Sequence, residues 1–271
     1  METIQEMVHR FERRIKYPMN RFQNIAPFVG RFLLVSAFLE DSLRIYTQWD
    51  QQLNYLEKYR SFYQGASHLF LALNLGLMLI GSFLAIAKIR MHYAVIALFA
   101  AVTSQILGYG LFMEWSFFLR NISMLGGILM LLSESPSKPK VIFGGLPTVQ
   151  ELDRSPYFAL FGRVLLVLLF GSFFLNGKMS ILKLIGSGIG FVMSLMVAIG
   201  FKAKYSALLM AVFLVLFNVI MNNWWSISQD ADTRNFVKYN FFQIMSIVGG
   251  FILLLNTGPG GFSVDEKKKK F

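Results

Sequence analysis

Residues 27–47 read PFVGRFLLVSAFLEDSLRIYT, and whether this stretch counts as a membrane helix decides the fold. It has the length of a span, about 20 residues, yet it carries Arg31, Glu40, Asp41 and Arg44, enough charge for a plain hydropathy scan to discard it. An internal repeat argues for keeping it. Gly30-Arg31-Phe-Leu-Leu-Val opens this stretch, and Gly162-Arg163-Val-Leu-Leu-Val opens a later one 132 residues on. Ser123-Met-Leu-Gly126-Gly127-Ile-Leu-Met-Leu returns 123 residues on as Ser246-Ile-Val-Gly249-Gly250-Phe-Ile-Leu-Leu. Two similar units therefore follow one another, and dropping the first segment would leave them unequal.

Working outward, the apolar segments fall near 27–47, 62–87, 91–112, 116–134, 157–175, 179–200, 204–225 and 238–256. The predicted fold is all-α: a polytopic membrane protein of about eight transmembrane helices arranged as two four-helix repeats, 27–134 and 157–256. An even number of helices per repeat makes the two parallel. A leader (1–26) precedes them, a loop rich in Pro and Gly (135–156) joins them, and a tail (257–271) follows. The composition agrees. Of 271 residues 55% are hydrophobic and 15% charged, with 28 Phe and no Cys, and the mean hydropathy is +0.53. A soluble domain would carry about a quarter charged residues, so the apolar surplus is read as facing lipid.

The net charge of +11 has two readings, nucleic-acid binding or the positive-inside rule, and the location of the bases decides between them. Sixteen of the 26 Lys and Arg fall on the side of the N-terminus, six on the other, and Arg31, Arg44, Arg120 and Arg163 lie within segments. That bias places both termini in the cytosol and leaves no basic stripe interleaved with aromatics for nucleic acid. The leader has no apolar run long enough for a signal peptide and is expected to stay. Its stripe of Ile4, Met7, Val8, Phe11 and Ile15 suits either an amphipathic helix on the membrane surface or a solvated cap.

Carboxylates inside hydrocarbon are expensive and need a partner or a wet cavity. Glu40 and Asp41 lie in the part of the first segment farthest from the cytosol, one turn from Arg44. They read either as an ion pair closing the bundle or as an acidic binding site, since two acids exceed one base. Other polar side chains converge on the same level: Gln48 and Trp49, Gln105, Tyr109 and Glu114, Asn218, Asn222, Asn223, Trp224 and Trp225, then Tyr239 and Gln243. Interface aromatics alone would explain the Trp and Tyr residues, but lipid rejects the Glu, Gln and Asn. A polar cavity open to the far side follows. Arg31 and Arg163, at equivalent cytosolic ends, are expected to snorkel to lipid phosphates or to anchor the repeat interface. Gly186-Ser-Gly188-Ile-Gly190 lies in an apolar segment with no strand before it and reads as helix packing rather than a dinucleotide loop. The sequon at Asn121 lies within a segment and is not expected to be used.

Enzyme chemistry finds poor support in the sequence. Zero Cys removes thiol chemistry and thiolate metal sites, and His9, His68 and His92 stand at unrelated positions. No cofactor or metal is expected, and His68 reads as a packing residue. At the C-terminus, Lys268 and Lys269 stand fourth and third from the end, the dilysine pattern by which the COPI coat retrieves membrane proteins. Four lysines would also attract anionic membrane lipids. Phe271 could add an export signal.

Several stretches together identify a family. Phe38-Leu-Glu-Asp-Ser-Leu-Arg44 with Gln48-Trp49, Gly162-Arg-Val-Leu-Leu-Val-Leu168, Val197-Ala-Ile-Gly-Phe-Lys202, Lys238-Tyr-Asn-Phe-Phe-Gln243 and Gly258-Pro-Gly-Gly-Phe-Ser-Val-Asp-Glu-Lys-Lys-Lys269 run over nearly the whole chain. In these the sequence closely resembles the surfeit-locus-four family, whose yeast relatives are cargo receptors. The resemblance implies a receptor in the endoplasmic reticulum membrane that binds soluble secretory cargo in the lumen, often by its N-terminal peptide, and passes it to the outbound COPII coat. It would cycle through the intermediate compartment and cis-Golgi and return by its lysine tail. The residues assigned to cargo are Glu40, Asp41, Arg44, Gln48, Trp49, Tyr109, Glu114, Asn222, Trp225, Tyr239 and Gln243, where the acids would take the amine and the aromatics the apolar side chains. A small-molecule or lipid transporter is the rival reading, because parallel repeats with polar residues near the bilayer middle also serve transport. A membrane oxidoreductase subunit finds no haem or metal ligand pair. A homo-oligomer through the packing glycines is left open.

Overall fold

The computed structural model describes residues 25–110, 115–134, 155–175, 181–227, 231–258 and residue 263. Residues 1–24 of the leader, Glu114, most of the 135–156 loop and Lys268 and Lys269 therefore lie outside the described residues. The rest is all-α: α1 (Ala26–Thr47), α2 (Trp49–Tyr59), α3 (Ala66–Ala87), α4 (Met91–Gly108), α5 (Trp115–Ser133), α6 (Ser155–Leu175), α7 (Ile181–Ile199), α8 (Ala203–Met221), a 3₁₀ turn (Trp224–Ser226) and α9 (Ala231–Thr257).

Among the described residues α3, α4, α8 with its 3₁₀ turn, and α9 are long and apolar enough to cross a membrane, and α5, α6 and α7 contain shorter apolar stretches. Leu69, Leu73, Ile80 and Phe83 on α3, and Val212, Leu216 and Ile220 on α8, project outward. So large an apolar surface suits lipid and not water. The stretch 27–47 is one uninterrupted helix of 22 residues, with Pro27 in its first turn, where the missing N–H costs nothing. Its charged residues are tolerated because Arg31, Glu40 and Asp41 all point into the bundle. α9 starts about two turns before the apolar segment expected at 238, and within it the charge of Lys238 is met by Glu40.

Two helix pairs form the centre, α1 with α9 and α5 with α6, and both close on glycine. A Cβ on Gly249 would lie 2.6 Å from the Gly30 carbonyl, and one on Gly126 would lie 2.8 Å from the Gly162 carbonyl. Only glycine permits backbones this close. The Ser246 hydroxyl donates to the Leu34 carbonyl across the first seam, and the Ser123 hydroxyl donates to the Leu166 carbonyl, at 3.0 Å, across the second. Ser123 and Ser246, and Leu34 and Leu166, are related by the offsets read in the sequence. The first helix of one unit thus packs on the last helix of the other, and Gly127 meets Gly250 between the seams.

The α3–α4 and α7–α8 turns share a further device. Lys88 and Arg90 have φ of 56° and 45°, Gly200 and Lys202 of 73° and 42°. Ile89 N–H donates to Leu84 C=O and Phe201 N–H to Met196 C=O, each at 3.0 Å, the bond that closes a Schellman cap. Gly186 does serve helix packing, with Phe217 filling the space a side chain would need.

Candidate functional site

α1 ends at Thr47, and the chain turns at Gln48 into the short amphipathic α2, held to α3 by a 2.7 Å hydrogen bond from Ser67 Oγ to Glu57 Oε1. Gln48, Gln51, Gln52 and Tyr55 follow at the spacing of one helix face, and that face covers the end of α1, α4 and α9. A cavity of about 420 Å³ lies beneath it. Asp41 and Arg44 of α1, Gln105 and Tyr109 of α4, and Asn235, Phe236 and Tyr239 of α9 complete its walls.

Asp41 organises this cavity. Its Oδ1 accepts from Arg44 Nε at 3.0 Å and also from Arg44 Nη2, while its Oδ2 accepts from Gln105 Nε2 on α4. The guanidinium, positioned this way, lies 5.0 Å from the centre of the Tyr239 ring. Tyr109 Oη donates to Gln52 Oε1 at 2.9 Å, joining α4 to α2. The Tyr109 ring contacts Tyr55 at 5.9 Å and Phe70 at 6.0 Å, so one side of the cavity is aromatic.

Glu40 faces elsewhere. Successive helical residues are rotated by about 100°, and Glu40 turns toward α9, where Lys238 Nζ is 3.5 Å from its Oε1. Lys238 in turn lies 5.7 Å from the centre of the Trp224 ring. Of the residues expected to meet cargo, Asp41, Arg44, Gln48, Tyr109 and Tyr239 line the cavity and Glu40 does not. Gln243 is buried, with its amide 3.4 Å from Tyr239 Oη. Trp49 stacks on His68 at 6.2 Å on the other side of α2, and His68 is exposed instead of packed in the core. Asn222 bonds Asn218 at 2.7 Å, and Trp225 meets Phe241 edge-on at 5.8 Å. Gln51, Gln52, Tyr55, Asn235 and Phe236 were missed by sequence reasoning; the polar stripe of α2 was the signal for the first three.

Toward the opposite end of the bundle the described residues pack into an apolar layer. Between Arg31 and Asp41, Leu34, Val35 and Phe38 of α1 are buried with Leu98, Val102, Ile128, Ile247 and Phe251. Below them Arg31 Nη1 pairs with Glu134 Oε1, both side chains buried, and Lys88 Nζ lies 3.5 Å from the same oxygen. Arg163 is fully buried and donates from Nε to the Ala159 carbonyl at 3.3 Å. Both arginines are therefore held by protein acceptors and are not the lipid-facing, snorkelling side chains expected, because each is buried among carboxylate or carbonyl oxygens of the bundle. Among the described residues no group of three or more His, Asp and Glu is placed to hold a metal.

Fold and cavity define an all-helical polytopic membrane protein with a polar pocket at one end of its bundle. The chain belongs to the SURF4 family, whose model matches residues 5–271. It is 39% identical to the Surfeit locus protein 4 homolog of Schizosaccharomyces pombe, with 99% of this chain and 90% of the relative covered. The Drosophila melanogaster homolog of the same name is 32% identical over the full length of both. The ER-derived vesicles protein ERV29 of Saccharomyces cerevisiae is 39% identical, with 90% of this chain and 77% of the relative covered. No solved structure matches.

Proposed function

We propose that this protein is a transmembrane receptor for soluble secretory proteins of the endoplasmic reticulum lumen, and that the cavity under α2 takes their N-terminal peptide. In this reading the cavity end is luminal and both termini are cytosolic, as the distribution of bases expects. The COPII coat carries the loaded receptor out, and the COPI coat returns it from the Golgi by Lys268 and Lys269. The two halves, 27–134 and 157–256, form the bundle, while the leader, the 135–156 loop and the tail serve the cytosolic side.

The observation that carries this reading is a polar pocket at one end of the bundle, with a buried apolar layer between it and the other end. Five carboxamides, Gln48, Gln51, Gln52, Gln105 and Asn235, line it. Each can donate and accept, which suits the alternating C=O and N–H of a peptide main chain. Tyr55, Tyr109, Tyr239 and Phe236 offer aromatic surface for apolar side chains. The volume lies within the range of ligand pockets, about 300–1,000 Å³. Transport of a small molecule or lipid would need access from both faces, and the apolar layer with the Arg31–Glu134 pair below it favours reception. The name of the yeast relative, a protein of ER-derived vesicles, supports the compartment.

The test is a photo-reactive residue placed second in the mature N-terminus of a secreted cargo, with the crosslinked receptor peptide identified by mass spectrometry. Crosslinks to α2 or to Asn235–Tyr239 are expected. Crosslinks confined to other luminal segments would overturn the assignment of the pocket.

A further inference from the structure

Two cation–carboxylate–aromatic groups stand side by side, one in the cavity wall and one next to it, and they differ in how tightly they are made. In the first, Asp41 holds Arg44 through two nitrogens, Gln105 takes the other oxygen, and the guanidinium faces Tyr239. Both carboxylate oxygens are occupied, so this group is a fixed part of the wall. In the second, the Lys238 ammonium stands 3.5 Å from one oxygen of Glu40, longer than the roughly 2.7–2.9 Å of a good charge-assisted bond, and lies over Trp224. The second oxygen of Glu40 and the indole Nε1 of Trp224 are both buried without a hydrogen-bond partner. The Glu40 side chain is 6% exposed but that of Lys238 is 28% exposed, so the lysine reaches the acid from the more open side.

A carboxylate beside an indole face is a site for an ammonium group. We propose that Lys238 occupies this site as an internal substitute, and that the α-amine of a bound peptide takes its place on Glu40. This rests on the peptide-binding reading above and names the recognising residues: Glu40 for the amine, Trp224 for its cationic face, and Lys238 as the competitor. A peptide N-terminus supplies what the site lacks. Its ammonium has three donors for the two oxygens of Glu40, and its first carbonyl is an acceptor for the Trp224 indole N–H. Glu40 and Lys238 do not line the cavity themselves; each precedes a lining residue, Asp41 and Tyr239, so the exchange takes place beside the cavity wall, between α1 and α9. A buried carboxylate without a counter-ion is strongly disfavoured, so Glu40 holds a cation in both states, its own lysine when empty and the ligand's amine when loaded. The lysine can leave because its charge sits on a flexible four-carbon stem and its side chain is only partly buried. A blocked N-terminus cannot make the exchange.

The experiment uses the full-length protein in nanodiscs and two pools of randomised hexapeptides, each with a C-terminal benzophenone and biotin. One pool has a free α-amine and the other is N-acetylated. Wild type should capture the free-amine pool in preference to the acetylated pool. Lys238→Met should raise capture of the free-amine pool by about threefold or more and leave the acetylated pool unchanged, and Glu40→Gln/Lys238→Met should abolish the preference. Lys238→Gln, which keeps a neutral donor beside Glu40, replaces Lys238→Met if the latter is not monodisperse. Equal capture of both pools by wild type and Lys238→Met overturns the role of Lys238 and leaves the pocket a peptide site. Capture of neither pool by any monodisperse variant overturns the peptide-binding reading as well.

Discussion

Arg31 and Glu134 form a buried ion pair that ties the start of α1 to the end of α5, on the side of the bundle opposite the cavity. Asp41 lies ten residues further along α1, about 15 Å at 1.5 Å per residue, so one helix carries the ion pair at one end and the cavity wall at the other. Removing one member of such a pair leaves an uncompensated charge and costs about 3–5 kcal/mol. Glu134→Gln should therefore lower the thermal midpoint of the detergent-solubilised protein markedly. Arg31→Met/Glu134→Met should recover much of the loss, and a double variant no more stable than Glu134→Gln would contradict the pairing.

The glycine seams separate tolerated from untolerated methyl groups. Gly249→Ala puts a carbon 2.6 Å from the Gly30 carbonyl, whereas nothing lies within 4 Å of a Cβ at Gly188. Overpacking of this kind costs about 1–3 kcal/mol. Gly249→Ala should reduce the monodisperse yield and the unfolding temperature, while Gly188→Ala should match wild type; equal behaviour of the two would refute the close approach of α1 and α9.

Asp41→Asn removes the charge that fixes Arg44 and alters the acceptor for Gln105. The cavity wall should loosen, and capture of N-terminal peptides should fall by about tenfold, the loss of one charge-assisted contact worth about 1.4 kcal/mol. Both free-amine and acetylated peptides should be affected, since Asp41 shapes the wall. Crosslinking yield from a cargo N-terminus measures this, and an unchanged yield would remove Asp41 from the site.

Retrieval has a test in cells. Lys268→Ser/Lys269→Ser should move the steady-state distribution from the endoplasmic reticulum toward the Golgi, read by immunofluorescence against compartment markers. An unchanged distribution would assign the four lysines to the membrane surface.

Much of the helical framework was legible because it is written in local composition. The apolar runs gave the long helices, and the Gly30/Gly162 and Ser123/Ser246 repeats rescued α1 from its own charges. The candidate site was half legible. Asp41, Arg44, Gln48, Tyr109 and Tyr239 stood out because polar groups at membrane depth are costly. Gln51, Gln52 and Tyr55 did not, because α2 is too short and polar to draw notice in a search for apolar segments. Asn235 and Phe236 lay before the apolar run that marked the last helix.

The sequence by itself determined the class of protein, the apolar segments and the presence of charge near one end of the first helix. Each follows from the cost of moving a residue type into hydrocarbon, which depends on nothing distant. Only the tertiary structure decided that α1 packs on α9 and α5 on α6, and that neighbouring Glu40 and Asp41 serve different partners. A carboxylate's role is set by what faces it. Gln105 and Lys238 are far from α1 in sequence, and only packing brings one to Asp41 and the other to Glu40.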